Sequence, residues 1–203
     1  MGNDKIKLAI VDSGISYGGK KPFFKKEVTI VEKCCGEIKT EIGATDRIGH
    51  GTAVANLIAT GLHNVEYYMV KIFEECMFTS EEKYLKALEY CIDEIKPQII
   101  HLSNGIICCE KLRELKELCS KASDRGIHII AAFDNFGALS YPAAFDSVIG
   151  VDVSNEVEKD YVLIETVGIN IIVPNVTHKV VWTNNDIFVS NGTSFNACLV
   201  TRM

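Results

Sequence analysis

The sequence predicts an α/β fold in which a mostly parallel β-sheet is flanked by helices. Short apolar runs typical of buried strands alternate along the chain with longer segments of helical periodicity, and this alternation is typical of βαβ units. The 203 residues are 47% hydrophobic and 24% charged, which is ordinary for a globular protein with a substantial core. No repeat or low-complexity linker interrupts residues 1–203, so we expect one domain.

The predicted strands are apolar segments of three to seven residues that are rich in strand-forming side chains. In chain order they cover 7–11, 28–31, 67–73, 98–102, 127–132, 148–153, 169–173 and 188–190. In parallel sheets, functional side chains collect where the strands end. Asp12, Asn104 and Asn135 each follow an apolar strand and are therefore candidates for a site.

Four helices are predicted from apolar residues at helical spacing. They cover 49–61, 79–96, 110–125 and the segment from Ser194 onward. Thr79 and Glu82 match a capping box at the start of the second helix, and Pro97 follows its end. Gly126 suits the position just beyond the third helix.

Charge and composition limit the partners, the location and the metal sites that we expect for this protein. The net charge of −6 and isoelectric point of about 5.4 disfavour nucleic acid as a partner. No apolar run approaches the ~20 residues that span a membrane, and no signal peptide is visible, so we expect a cytoplasmic protein. The eight cysteines lack zinc-ligand spacing and are then expected to be reduced thiols, with no metal site.

Three segments carry residues that suit nucleophilic catalysis. Asp12 ends a strand before Ser-Gly, His50 begins a helix within Gly-His-Gly-Thr, and Ser194 begins another helix within Gly-Thr-Ser. A serine hydroxyl attacks an amide at neutral pH only when a base takes its proton, and a neutral imidazole is such a base. A carboxylate then fixes the imidazole tautomer and stabilises the imidazolium. Each signal alone is weak, because each residue type is common at turns and helix ends.

Together, these segments resemble the Asp, His and Ser motifs of the subtilisin-like (S8) serine peptidases. The resemblance extends over most of the chain and includes the segments 68–72, 99–105, 131–135, 141–143 and 148–151. It implies a subtilisin-like, doubly wound sheet and a serine endopeptidase that acts through an acyl-enzyme. By the same resemblance, Asp12, His50 and Ser194 form the catalytic triad.

The resemblance also implies the roles of the residues around the triad. Asn135 donates to the oxyanion together with the N–H of Ser194, and Ser103, Asn104 and Gly105 pair with an extended peptide or protein substrate. The residues expected near the pocket for the P1 side chain are Phe133, Asp134 and Ser140. Asp134 replaces a family glycine, and its carboxylate either favours a basic P1 residue or points to solvent.

The sequence departs from the family pattern after the serine. Asn196 replaces an alanine of the family pattern, and Cys198 replaces a proline. The chain ends nine residues after Ser194. We therefore expect a short, poorly buried last helix, in a chain that is a minimal variant, a truncation, or completed by a second copy or a partner chain. A catalytically impaired, peptide-binding module is the alternative to an active peptidase. No cofactor is expected, and calcium binding stays open because the family's calcium loops are not recognisable. Maturation of one specific precursor peptide is a further expectation.

A competing motif lies after the first strand. Gly14 to Lys20 matches the GxxxxGK spacing of a phosphate-binding P-loop. Lys21 stands where such a loop needs Ser or Thr for Mg²⁺, and no amphipathic helix clearly follows, so nucleotide binding is disfavoured.

Overall fold

The computed structural model describes residues 5–18, 23–158, 161–164 and 169–203. The strands in these ranges are β1 Ile6–Asp12, β2 Phe24–Glu32, β3 Ile38–Ile42, β4 Val65–Lys71, β5 Ile99–Leu102, β6 His128–Ala132, β7 Ile149–Ser154, β8 Val162–Ile164, β9 Ile169–Pro174, β10 His178–Val181 and β11 Ile187–Ser190. The α-helices are α1 His50–Ala59, α2 Glu81–Tyr90, α3 Leu112–Asp124 and α4 Thr193–Thr201. A π-helical turn, Cys91–Ile95, extends α2.

Nine of the described strands form one sheet, in the order β3-β2-β4-β1-β5-β6-β7-β9-β8. The pairs from β2 to β9 are parallel, whereas β3 and β8 run antiparallel at the two edges. The predicted mostly parallel, doubly wound α/β sheet is therefore confirmed. The strand order reverses between β1 and β5, and such a reversal opens a crevice at the carboxyl edge of a sheet.

Helices cover both faces of the sheet, because alternate strand residues point to opposite sides. Ala9, Val11 and Leu102 belong to the larger core, which packs against α2 and α3. Leu8 and Ile10 belong to the opposite core, against α1 and α4. This three-layer arrangement buries the strands on both faces, which explains their continuous apolar sequences.

The structure corrects the predicted start of α2. The N-cap is Ser80, whose hydroxyl accepts a hydrogen bond from the Lys83 N–H at 3.2 Å. The predicted cap residue, Thr79, has a buried hydroxyl without a hydrogen-bond partner. Thr79 and Ser80 both carry a hydroxyl that can cap a helix, so the sequence pattern placed the N-cap one residue too early.

The expectation of a poorly buried last helix is wrong. Seven of the nine residues of α4 are buried, including Phe195, Ala197, Cys198 and Val200. The helix packs on the α1 side of the sheet, where Phe195 and Cys198 join the core of Leu8 and Ile10. A second copy or partner chain at this helix stays a prediction.

The structure also bears on the predictions about membrane spans and about the cysteines. In the described ranges, no helix is both long and apolar enough to cross a bilayer. All eight cysteines are free thiols, and Cys91, Cys119 and Cys198 are buried. These three occupy apolar positions as small hydrophobic residues, as the sequence predicts.

Candidate active site

The carboxyl ends of β1, β5 and β6 bring most of the predicted site residues to one edge of the sheet. A cleft of about 450 Å³ lies at this edge. All predicted site residues except Asp12 line it, namely His50, Ser103, Asn104, Gly105, Phe133, Asp134, Asn135, Ser140 and Ser194. The predicted residues therefore lie together at one edge of the sheet.

Asp12 lies behind His50 and is fully buried. The His50 Nδ1 atom is 2.8 Å from Asp12 Oδ1 and 3.0 Å from Oδ2. The same Oδ1 accepts a hydrogen bond from the Ser13 N–H at 2.7 Å. Since an ionised carboxylate only accepts hydrogen bonds, Nδ1 carries the proton and Nε2 is left unprotonated in the neutral ring.

The environment of His50 favours the imidazolium. Burial lowers the pKa of this side chain, but the charge and hydrogen bond of Asp12, with a smaller contribution from Asp46, outweigh burial. The pKa of His50 is therefore raised above its ordinary value. Such a base holds a proton more firmly than an isolated imidazole.

Asp46, which the sequence analysis did not single out, holds the start of α1. Its buried carboxylate accepts hydrogen bonds from the N–H groups of Ile48, Gly49 and Thr52 at 2.8–2.9 Å, and from the Thr52 hydroxyl at 2.6 Å. Burial raises the pKa of Asp46, and these hydrogen bonds outweigh burial and lower it overall. The only sequence signal is an acidic residue shortly before a helix.

Trp182 directly follows β10, in the hairpin that β10 forms with β11, and holds the turn at the start of α1. Its Nε1–H donates to the Ile48 carbonyl at 2.8 Å. Gly49 has a φ of 104°, and a Cβ there would lie 1.9 Å from Trp182 Nε1. The segment after β10 therefore clamps the backbone directly before His50, and only glycine fits beneath the indole.

Ser194 lies in the first turn of α4 and lines the same cleft as His50. Its hydroxyl donates to the Ser103 carbonyl at 2.8 Å, and the Ser103 hydroxyl donates back to the Ser194 carbonyl at 3.0 Å. The ring of the next residue, Phe195, lies 5.5 Å from the His50 ring between centroids. The Ser194 hydroxyl hydrogen is thus directed to the carbonyl of the residue that follows β5 in this conformation.

Asn135 is anchored through its side-chain oxygen. Oδ1 accepts a hydrogen bond from the Thr193 N–H at 2.9 Å and lies 3.0 Å from the Thr193 hydroxyl, whose shorter contact of 2.7 Å is with the Phe133 carbonyl. A Cβ at Gly192 would lie 2.8 Å from the same oxygen, and Gly192 has a φ of 116°. No residue in the described ranges accepts a hydrogen bond from Asn135 Nδ2, so that donor is free to face the cleft.

The segment 103–105 forms one wall of the cleft. The Asn104 side chain donates to the Val11 carbonyl at 2.8 Å and so points back toward β1. Ile106 and Tyr141 exchange two backbone hydrogen bonds of 2.8 and 2.9 Å. A Cβ at Gly105 would lie 3.0 Å from the Tyr141 carbonyl oxygen. The wall is therefore held rigidly from behind.

Asp134 uses its carboxylate within its own loop. Oδ2 accepts hydrogen bonds from the Phe136 N–H at 2.8 Å and the Ala138 N–H at 3.4 Å. The buried hydroxyl of Ser140 accepts from the Asp134 N–H at 3.0 Å. Asp134 and Ser140 therefore shape the loop that carries Asn135.

The sequence analysis missed the apolar part of the cleft. The residues that supply it come from the ends of three segments, namely Phe73, Met77, Phe78, Tyr84, Ile106 and Ile107. Phe78 and Ile107 are exposed. Exposed aromatic and aliphatic side chains in a loop carry no periodic signal, so their shared location cannot be predicted from the sequence.

The described residues give no support to the competing readings. After the turn at Gly14, the next described element is strand β2 rather than the helix that a P-loop requires. Gly19, Lys20 and Lys21 lie outside the described residues. Within the ranges described, no cluster of three or more His, Cys, Asp or Glu side chains could hold a metal ion.

Comparisons with known proteins identify the family of this chain. The sequence profile of the subtilase family (Peptidase_S8) matches residues 3–203. The chain is 28% identical over 163 residues to the minor extracellular protease Epr of Bacillus subtilis (strain 168). That match covers 74% of this chain but only 24% of the relative, so the chain spans about a quarter of its length.

Solved structures share the fold at low sequence identity. The S41 psychrophilic protease superposes with a TM-score of 0.72 and 18% identity, over 99% of this chain and 77% of that chain. A cold-adapted subtilisin-like serine proteinase gives a TM-score of 0.73 and 16% identity, over 98% and 74%. Because the family profile covers nearly the whole chain, this protein belongs to the subtilase family.

Proposed function

We propose that this chain is a serine endopeptidase that hydrolyses peptide bonds through an acyl-enzyme on Ser194. The observation that carries the proposal is the 2.8 Å contact between His50 Nδ1 and Asp12 Oδ1, beside the cleft that Ser194 and Asn135 also line. A carboxylate, an imidazole and a hydroxyl in this order are the parts that acyl transfer needs.

The first chemical step requires the Ser194 hydroxyl to turn from Ser103 toward His50. In the described residues nothing hydrogen-bonds to His50 Nε2, and rotation about one side-chain bond redirects the hydroxyl. Substrate backbone that pairs with the wall at Ser103 promotes this rotation by competing for the Ser103 carbonyl. Nε2 then takes the proton as Ser194 Oγ attacks the carbonyl carbon.

Asn135 and the Ser194 backbone stabilise the charge that develops on the substrate oxygen. The Asn135 amide is held by Thr193 through Oδ1, so its Nδ2 donor is oriented before the substrate arrives. The imidazolium, stabilised by Asp12, protonates the leaving amine as the C–N bond breaks. Water activated by His50 then hydrolyses the ester and regenerates the Ser194 hydroxyl.

Labelling with a fluorophosphonate tests this proposal. We expect one adduct per chain in intact-mass spectra, located on the peptide that contains Ser194 and absent in Ser194→Ala. Ser123→Ala, an exposed serine of α3, is the matched control and should label like the wild type. A soluble, folded wild type that never labels would count against the proposal.

The alternative function is a peptide-binding module without turnover. It is favoured by the hydrogen bond from the Ser194 hydroxyl to Ser103, which directs the proton away from His50. This module would bind peptides in the cleft, remain unlabelled and release them uncleaved. Peptide binding measured alongside labelling separates the two functions.

The finer role that we propose is maturation of one precursor peptide in the cytoplasm. Bulky side chains that crowd the cleft, including Phe73, Phe78 and Phe133, support a narrow choice of substrate. A peptide-library cleavage profile tests this role. A single dominant motif is expected, and broad cleavage of unrelated sequences would contradict it.

A further inference from the structure

A second, fully buried histidine lies beneath Ser194. His101 belongs to β5, between β1 and β6, and its side chain is on the face covered by α4. Nδ1 is 2.7 Å from the Thr201 hydroxyl, and Nε2 is 2.5 Å from the Ser103 hydroxyl. Both partners are themselves buried. His101 does not line the cleft, and the proposed chemistry does not use it.

These contacts join the two ends of α4 through strand β5. The Ser103 hydroxyl donates to the Ser194 carbonyl at 3.0 Å, so its oxygen is free to accept from His101. Nε2 then carries the proton, and Nδ1 accepts from the Thr201 hydroxyl. Thr201 thus donates to His101, His101 donates to Ser103, and Ser103 donates to the Ser194 carbonyl, which accepts the last hydrogen bond. Thr201 lies seven residues after Ser194, or about 10 Å along the helix.

The hydrogen bonds through His101 constrain the position of α4 along β5, which apolar packing alone does not. Ala197 and Val200 hold α4 to the sheet through non-directional contacts. Hydrogen bonds have a preferred length and angle, so those through His101 set the position of the helix along β5. Burial lowers the pKa of His101 to about 4, so the ring stays neutral at neutral pH and keeps one donor and one acceptor.

We infer that His101 is a positioning residue that sets the register of α4 on β5 and thereby places the Ser194 hydroxyl and N–H for reaction. The inference rests on the proposed function of Ser194. His101 acts through Ser103 and touches neither the cleft nor a bound substrate. Thr201, at the far end of the same helix, contributes to the reactivity of Ser194 through this chain.

Four variants test the inference by the rate of fluorophosphonate labelling and by kcat and KM on a peptide. His101→Phe keeps the ring but removes both hydrogen bonds, and Thr201→Val removes only the remote one. We expect His101→Phe to label about tenfold to a hundredfold more slowly, as small displacements of reacting groups cause. Thr201→Val should label several-fold more slowly. KM should change by less than about twofold in both, because uniform binding is intact.

A rescue and a double variant distinguish positioning from simple loss of stability. His101→Gln retains a donor toward Ser103 and should recover most of the rate. The double variant His101→Phe with Thr201→Val should be no slower than His101→Phe alone, because both break one chain. The matched control is Thr40→Val, at an exposed threonine of β3, which should label like the wild type.

The outcomes separate this inference from the proposed function. If the wild type labels and folded His101→Phe and Thr201→Val label at the wild-type rate, the positioning role is wrong and the peptidase proposal stands. Should His101→Phe fail to fold, Thr201→Val and His101→Gln carry the same test. If the wild type does not label, the peptidase proposal fails. Nitrogen NMR of His101 still tests the hydrogen-bond chain, since a ring protonated at Nδ1 would contradict it.

Discussion

Gly51 lies so close to Gly14 that a Cβ on Gly51 would be 2.4 Å from the Gly14 carbonyl oxygen. The Gly51 N–H also donates to the Ser13 hydroxyl at 2.8 Å. The first turn of α1 is thus pressed against the turn that follows β1. This contact brings His50 within hydrogen-bond distance of Asp12.

We predict that Gly51→Ala separates His50 from Asp12. The added methyl group meets backbone atoms, which have little freedom to move, so α1 must shift away from β1. The labelling rate of Ser194 should fall by at least about tenfold, as misplacement of catalytic groups causes. The control is Gly36→Ala, where a Cβ meets nothing within 4 Å but φ is 79°, so this variant carries backbone strain without a steric clash. Equal labelling rates for both variants would contradict the steric account.

The raised pKa of His50 predicts the pH dependence of activity. His50 must be neutral to accept the Ser194 proton, so kcat/KM should rise with pH through a midpoint above the ordinary value of 6.5. The same shift stabilises the fold below pH 6.5, and this contribution is lost as pH rises through the raised pKa.

Asp12→Asn tests the cause of that shift. Without the carboxylate, burial dominates and the pKa of His50 should fall, which an NMR titration of the ring measures. The kcat should also fall by about 10⁴-fold, because the amide does not hold the required tautomer. A titration midpoint that does not move would show that Asp12 is not the cause.

Asp46→Asn should destabilise the fold, because an amide presents a donor to at least one N–H that the carboxylate accepts from. We expect a loss of about 1–3 kcal/mol in the free energy of unfolding at pH 7. The pKa of Asp46 is lowered from 3.8, so its contribution is present above pH 3.8 and lost as pH falls through the lower, folded value. Urea unfolding should show that the difference in the free energy of unfolding between wild type and Asp46→Asn is smaller at pH 3 than at pH 7. A constant difference would contradict it.

The cleft should favour an apolar P1 residue. The Asp134 carboxylate is engaged by the N–H groups of Phe136 and Ala138, and the surrounding side chains are largely apolar. Peptides with Leu at P1 should therefore be cleaved about tenfold faster than those with Arg. Asp134→Asn should leave this ratio nearly unchanged, as should the control Asp124→Asn on α3. A preference for Arg that disappears in Asp134→Asn would establish the opposite role.

The sequence predicted the strands and the three motif segments for physical reasons. Parallel strands covered on both faces must be continuously apolar, so 7–11 and 127–132 stand out. Asp12, His50 and Ser194 stand beside glycines that the backbone needs for close approach. Such positions leave a trace in the sequence because no other residue type fits.

Other features of the fold and of the candidate site cannot be predicted from a local sequence pattern. Four of the five β3 residues are exposed and two of the five are charged, so that strand has no hydrophobic pattern. The link from His101 to Thr201 joins residues 100 positions apart, which no local pattern encodes. Likewise, the direction of the Ser194 hydroxyl depends on the Ser103 carbonyl, directly after β5. These features follow from tertiary packing alone.

Rapid mixing of the protein with an activated peptide ester tests the central claim most directly. The account predicts a burst of about one released alcohol per chain and an acyl group that mass spectrometry locates on Ser194. Ser194→Ala should show neither. Ester or peptide hydrolysis that persists in Ser194→Ala, with no acyl group on the wild-type chain, would contradict the account.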